Sequence, residues 1–213
     1  MDKALLAQRK KRAEVILREL KKLFPKASIM LKYSNPWELL VAVILSAQCT
    51  DKKVNEVTEK LFKKYKRLED YVKANPSEFE RDIYSTGFYK AKTKNVLATA
   101  KIVYEKHKGR IPSTMEELLG LPGVARKTAN IVLGNVYHIY EGIAVDTHVK
   151  RLSNVLGLTT QSDPNKIEQE LTQIIPEKEW FSTTYRLIEY GRKYCVAKRH
   201  NHEDCPLSKV IKN

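Results

Sequence analysis

The stretch Leu118-Leu119-Gly120-Leu121-Pro122-Gly123-Val124-Ala125-Arg126-Lys127-Thr128-Ala129-Asn130-Ile131-Val132-Leu133 decides how the chain is read. It reads as a helix, a tight Pro-Gly turn, and a second helix beginning near Val124. Such a turn leaves several backbone N–H groups without partners at a helix N-terminus, where the helix dipole also favours an anion. A nucleic-acid phosphate fits there with no readout of base sequence. An ordinary connection between two helices would use the same residues, so the turn by itself leaves both readings open.

Outward from this turn, helix starts recur. Asn35-Pro36-Trp37-Glu38 offers an N-cap, a proline at the first helical position and an acid two residues on. The apolar run from Leu39 to Leu45 that follows has the pattern of a buried strand or a buried helix, and the cap decides for the helix. Asn75-Pro76-Ser77-Glu78 repeats the device, Asp163-Pro164 opens another segment, and Ser113 with Glu116 makes a capping box. Ala13, Ile16, Leu17, Leu20, Leu23 and Phe24 follow helical spacing with basic residues opposite. Strand-like alternation and Asn-Gly or Asp-Gly hairpin turns are absent from the sequence. The reading is an all-α protein of about ten helices.

Composition narrows the class. The 213 residues are 42% hydrophobic and 30% charged, the balance of a globular chain that buries a core. The longest apolar run is far shorter than a membrane span requires. Arg9, Lys10, Lys11 and Arg12 interrupt any secretory stretch, and an odd number of cysteines, three, predicts a reducing, cytoplasmic setting without disulfides. Lysine and arginine number 39 against 25 acidic residues, a net charge of +14. That excess favours a polyanionic partner, nucleic acid first, over a merely solvated lysine-rich surface.

A second segment carries chemistry. Ile143-Ala144-Val145-Asp146-Thr147-His148-Val149-Lys150-Arg151 delivers an acid followed by Thr, His and two bases. Asp146 here is either a working carboxylate or simply the N-cap of the next helix. Taken together, LPGVARKTANIVL and AVDTHVKR resemble the endonuclease III family of DNA glycosylases, in the helix-hairpin-helix superfamily. The resemblance extends through Leu45-Ser46-Ala47-Gln48-Cys49-Thr50-Asp51, Gly87-Phe88-Tyr89-Lys90-Ala91-Lys92 and Gly191-Arg192-Lys193-Tyr194-Cys195, nearly the whole chain in order.

The resemblance implies two helical lobes with a cleft between them. Residues 29–139 would form a six-helix domain ending with the hairpin, and residues 1–28 with 140–213 the second domain. It implies a monomeric enzyme of base excision repair, associated with the nucleoid in the cytoplasm, with double-stranded DNA carrying damaged bases or abasic sites as its partner and no membrane. Lys127 would attack C1′ of an oxidised pyrimidine nucleotide, expel the base and form a Schiff base, and β-elimination would then nick the strand. Such a lysine must be neutral to attack. Adjacent Arg126, the positive helix start and partial desolvation are expected to favour that form. Asp146 would accept the lysine proton or stabilise the cationic sugar. Extruding the nucleotide costs a few kcal/mol. Gln48 would enter the gap from one loop, Phe88 and Tyr89 from the other, and His148 would line the base pocket or meet a phosphate. Gly123, Ala125, Arg126 and Thr128 of the hairpin would contact the DNA backbone. A monofunctional mismatch or adenine glycosylase on the same scaffold, or a non-catalytic hairpin protein, are the rival readings. Lys127 speaks against the first, and Lys127 together with Asp146 against the second.

Two departures stand out. The family's hairpin usually has glycine where this chain has Ala125, a methyl that a helix start should tolerate. Many members also hold a [4Fe–4S] cluster on four cysteines spaced C-x6-C-x2-C-x5-C. Counted from Cys195, those places hold Cys195, His202, Cys205 and Ile211. With two thiolates left for a cluster that takes four, the expectation is that the cluster is lost and no cofactor or metal is held. Zinc on Cys195, His200, His202 and Cys205 is the competing expectation, at a spacing unlike the usual finger.

Overall fold

The structure, a computed structural model, describes residues 2–211 and side chains through Lys209. Its first helix, α1 (Lys3–Leu23), buries Ala13, Ile16, Leu17 and Leu20 along one face, as their spacing predicts. In α2 (Pro36–Leu45) the Asn35 side chain accepts the Glu38 N–H, and every residue from Leu39 to Leu45 is buried. Burying each such aliphatic side chain contributes about 1.5–3 kcal/mol. This makes α2 the central post of its surroundings.

The chain continues through α3 (Asp51–Lys64), α4 (Leu68–Val72), α5 (Pro76–Ile83), α6 (Tyr89–Lys106) and α7 (Met115–Leu119). Next come α8 (Arg126–Val132), which runs on as a π-helical turn over Leu133–Tyr137, and α9 (Thr147–Val155). The last three helices are α10 (Pro164–Ile174), α11 (Glu177–Lys193) and α12 (Pro206–Ile211). No strand occurs among the described residues. The protein is all-α, with more helices than the expected ten because α4 and α12 are too short to show as periodic segments. Two boundaries differ from expectation by a residue or two. The cap of α7 is Thr114, whose hydroxyl oxygen accepts the Glu117 N–H, so the capping box lies one residue beyond Ser113 and Glu116. The helix of α8 begins at Arg126 because Val124 still belongs to the turn, its N–H bonded to the Leu121 carbonyl.

The chain divides into two compact units, one of Met1–Ile29 with Tyr140–Asn213 and the other of Met30–Ile139. Within the second unit, α2 packs against α3, α6 and α8. Trp37, Tyr65, Tyr71 and Phe79 close one end of it, with ring centroids 5.1–5.9 Å apart in tilted and edge-on pairs. Within the first unit, α1 packs against α10, α11 and α12 over a core that includes Ile16, Leu20, Leu152, Leu171 and Leu187. The buried Arg9 guanidinium lies 2.8 Å from Glu170 there. Burial works against the Glu170 carboxylate, but hydrogen bonds from Thr159 and Gln161 and the charge of Arg9 outweigh it and hold its pKa below the usual range.

Candidate active site and nucleic-acid interface

The hairpin joins α7 to α8 through a left-handed Gly123 (φ 78°). A Cβ at this position would stand 2.8 Å from Asn95 Nδ2 and 2.9 Å from Asn95 Cβ. The Thr99 hydroxyl ties the turn to α6 by donating to the Pro122 carbonyl at 3.0 Å. Glycine is therefore required twice over, for its backbone and for its missing side chain. Gly123→Ala should lower stability by about 2 kcal/mol, or roughly 4–8 °C in Tm, measured by thermal denaturation. An unchanged melting temperature would mean that the turn rearranges freely.

The N-cap of α8 is Ala125, in ordinary extended backbone (φ −92°, ψ 170°), so glycine is not needed there. Its methyl cannot accept a hydrogen bond, and the first turn of α8 has no side-chain cap. That leaves N–H donors for an external anion. Lys127 is the second residue of α8 and is exposed, so the expected desolvation is not provided by the protein itself. Arg126 is half-buried, and the Thr128 side chain is buried, which leaves only its backbone to face a phosphate.

Two loops of the same unit carry strained residues. Among the described residues, the non-glycine positions with positive φ are Gln48 (53°), Phe88 (49°), Lys108 (53°) and His138 (56°). Lys108 and His138 follow helix ends, where left-handed backbone is usual. Gln48 is exposed in the turn between α2 and α3, and Phe88 is 63% exposed at the N-cap of α6. An exposed aromatic held in a left-handed conformation costs about 1 kcal/mol or more with no packing return, a pattern that marks functional loops. Tyr89 is different. It is half-buried and packs on Tyr84 with centroids 4.8 Å apart.

Lys92 holds both loops. It is 4% exposed, and its ammonium donates to the Leu45 carbonyl at the end of α2 and to the Thr86 carbonyl just before Phe88, each at 2.8 Å. Burial pushes the Lys92 pKa down. No motif of its own marks Lys92 in the sequence. Its signal was there, however, because Lys92, Val96, Thr99 and Val103 share the buried stripe of α6.

In the other unit, Asp146 caps α9: its Oδ1 accepts the Val149 N–H at 2.8 Å. One carboxylate oxygen is thus committed to the cap. His148 is half-buried against Gly191 of α11, where an added Cβ would approach His148 Nδ1 to 2.7 Å. Three residues on, Arg151 Nη2 donates to the Cys195 carbonyl at 2.6 Å and Nη1 lies 3.5 Å from Cys195 Sγ.

The expectation that no cofactor is held at the C-terminal end is overturned here. The ligand atoms of Cys195, His200, His202 and Cys205 all lie within 4.8 Å of one another, a convergence with the dimensions of a metal site. Cys195 Sγ is 3.5 Å from His202 Nδ1, and Cys205 Sγ is 3.3 Å from His200 Nε2. Burial and the neighbouring Cys195 sulfur push the Cys205 thiol up. The spacing is unlike that of a regular finger, but a short 3-10 turn at His202–Asp204 folds the segment back so that spacing along the chain ceases to matter. The side chain of Ile211, at the fourth place of the family's frame, lies outside those described.

The profile of the HhH-GPD superfamily of base excision DNA repair proteins matches residues 41–177, which sets the class of protein that this hairpin and fold define. An endonuclease III of Synechocystis sp. is 46% identical over 203 residues, covering 95% of this chain and 93% of that protein. A solved endonuclease III in a non-covalent DNA complex has a TM-score of 0.90 at 42% identity, covering 94% of each chain. The same values hold for an endonuclease III trapped as a covalent intermediate with DNA. The chain belongs to the endonuclease III family.

Proposed function

We propose that this chain removes oxidised pyrimidines from double-stranded DNA and nicks the strand at the site left behind. It is a bifunctional DNA glycosylase and abasic-site lyase of base excision repair. The observation that carries the residue assignment is Lys127, an exposed amine one residue inside an uncapped helix start behind the Gly123 turn. The N–H groups of that helix start hold a backbone phosphate and bring Lys127 Nζ to C1′. Attack there breaks the glycosidic bond, and the base leaves with its electron pair and a proton. Opening of the sugar ring gives the Schiff base. Loss of a C2′ proton then expels the 3′ phosphate, and hydrolysis returns the lysine. Asp146 keeps one oxygen on the Val149 N–H and offers the other to the lysine proton or the cationic sugar. Gln48 and Phe88 fill the space of the extruded nucleotide, and the net charge of +14 supplies the sequence-independent attraction to DNA. No helix among the described residues is long and apolar enough to cross a membrane, and the proposed place of work is the nucleoid.

A duplex with one thymine glycol, scored separately for base release and strand scission, tests this reading. Coincident release and scission is the expected result. Release without scission would favour the monofunctional glycosylase, and binding with neither would favour a non-catalytic protein.

The two loops give a further expectation. Phe88→Ala should weaken binding to lesion duplex by about tenfold, the scale of one lost stacking contact, while leaving undamaged duplex nearly unaffected. Lys92→Met keeps the length of the side chain but removes the ammonium that holds the Leu45 and Thr86 carbonyls. It should reproduce the Phe88→Ala loss with the aromatic ring still present. Equal losses on both duplexes would assign these residues to folding instead.

A further inference from the structure

We propose that Cys195, His200, His202 and Cys205 bind a single zinc ion, which clasps the C-terminal end of the chain onto α9 and α11. A tetrahedral zinc with bonds of about 2.3 Å to sulfur and about 2.0–2.1 Å to nitrogen spaces its donors about 3.4–3.8 Å apart. The two sulfur–nitrogen separations, 3.5 and 3.3 Å, already match that edge, and no pair of the four donors exceeds 4.8 Å. The four irons of a cubane cluster would each take a separate ligand, conventionally a thiolate. These four side chains offer two sulfurs and two nitrogens gathered round one point. A tetrahedral set of that composition selects zinc among the common divalent metals.

The surroundings fit the charge. Two thiolates and two neutral imidazoles around a divalent cation sum to zero, which suits a site whose two cysteines are 1% and 3% exposed. Binding would release the two thiol protons to solvent. Arg151 supplies an N–H toward Cys195 Sγ and grips the adjacent carbonyl, the kind of outer contact that orients a metal ligand. The histidines stand on the outer side, His200 half-buried and His202 exposed, and give the ion a way in.

The site also sits where a clasp is needed. Cys195 follows the end of α11, and Cys205 immediately precedes α12. Beyond it Leu207 is buried, and its N–H bonds the Tyr190 hydroxyl of α11 at 3.1 Å. Among the described residues, these contacts and the packing of the short α12 against α1 also hold the end in place. This inference rests on the donor geometry alone and stands apart from the catalytic assignment.

The test is elemental analysis of the purified full-length protein, followed by replacement of the metal with cobalt(II). One zinc per chain is expected, and the cobalt form should show the strong visible bands of a tetrahedral thiolate site. Loading the metal-free protein with one equivalent of zinc should release two protons in weakly buffered solution. His202→Ala removes an exposed ligand that the fold does not need, so that variant should fold but bind zinc about 100-fold more weakly. Four irons with inorganic sulfide per chain would overturn the proposal, as would a chain that takes up no metal. Unchanged zinc affinity in the His202→Ala variant would overturn the ligand assignment.

Discussion

Lys127→Ala should eliminate strand scission and borohydride trapping on both lesion and abasic-site duplexes, with turnover at least about 1,000-fold down. Binding should hold within about tenfold, because the exposed side chain supports no packing and only one of many cationic contacts is lost. The two readouts separate roles that a single activity measurement would merge. A merely phosphate-binding Lys127 would weaken binding and leave trapping in proportion to occupancy. A variant that still forms the trapped adduct at saturating DNA would place the nucleophile on another amine.

Asp146→Asn is the second large expected effect, and it separates the observed capping bond from the proposed catalytic role. Asparagine caps a helix about as well as aspartate, so the bond to the Val149 N–H should survive with stability changed by less than about 0.5 kcal/mol. What asparagine cannot do is accept the lysine proton or offset the positive charge of the sugar. Base release should therefore fall by about 100- to 10,000-fold with an unshifted melting curve. Asp146→Ala should lose the same activity and about 1 kcal/mol of stability besides. Full activity in Asp146→Asn would reduce Asp146 to the cap that its local geometry already makes it.

Much of the fold was legible because local chemistry and burial agreed. The apolar run from Leu39 to Leu45 could have been a strand by periodicity, and the Asn35-Pro36 start settled it, as the Glu38 N–H bond to Asn35 records. The hairpin was legible for the same reason, since only glycine satisfies the backbone and the contact with Asn95 at Gly123. Exact helix starts were less so. Ser113 and Thr114 are chemically equivalent caps, and the helix uses the second. Lys92 was hidden among 39 basic residues, and only its place in a buried stripe distinguishes it. The left-handed backbones of Gln48 and Phe88 have no sequence signature at all, because neither residue type favours them. The Cys-His set does not follow metal-ligand spacing rules because those describe regular fingers, while here the turn at His202–Asp204 and the bond from the Leu207 N–H to the Tyr190 hydroxyl bring Cys205 back to Cys195.

We propose above that the amine of Lys127 forms the covalent bond to DNA. Reducing the complex with borohydride on an abasic-site duplex, digesting it, and locating the sugar remnant by mass spectrometry identifies the attacking amine. One modified peptide is expected, containing Lys127 at the start of α8. A remnant on any other lysine, or on the N-terminal amine, would contradict it.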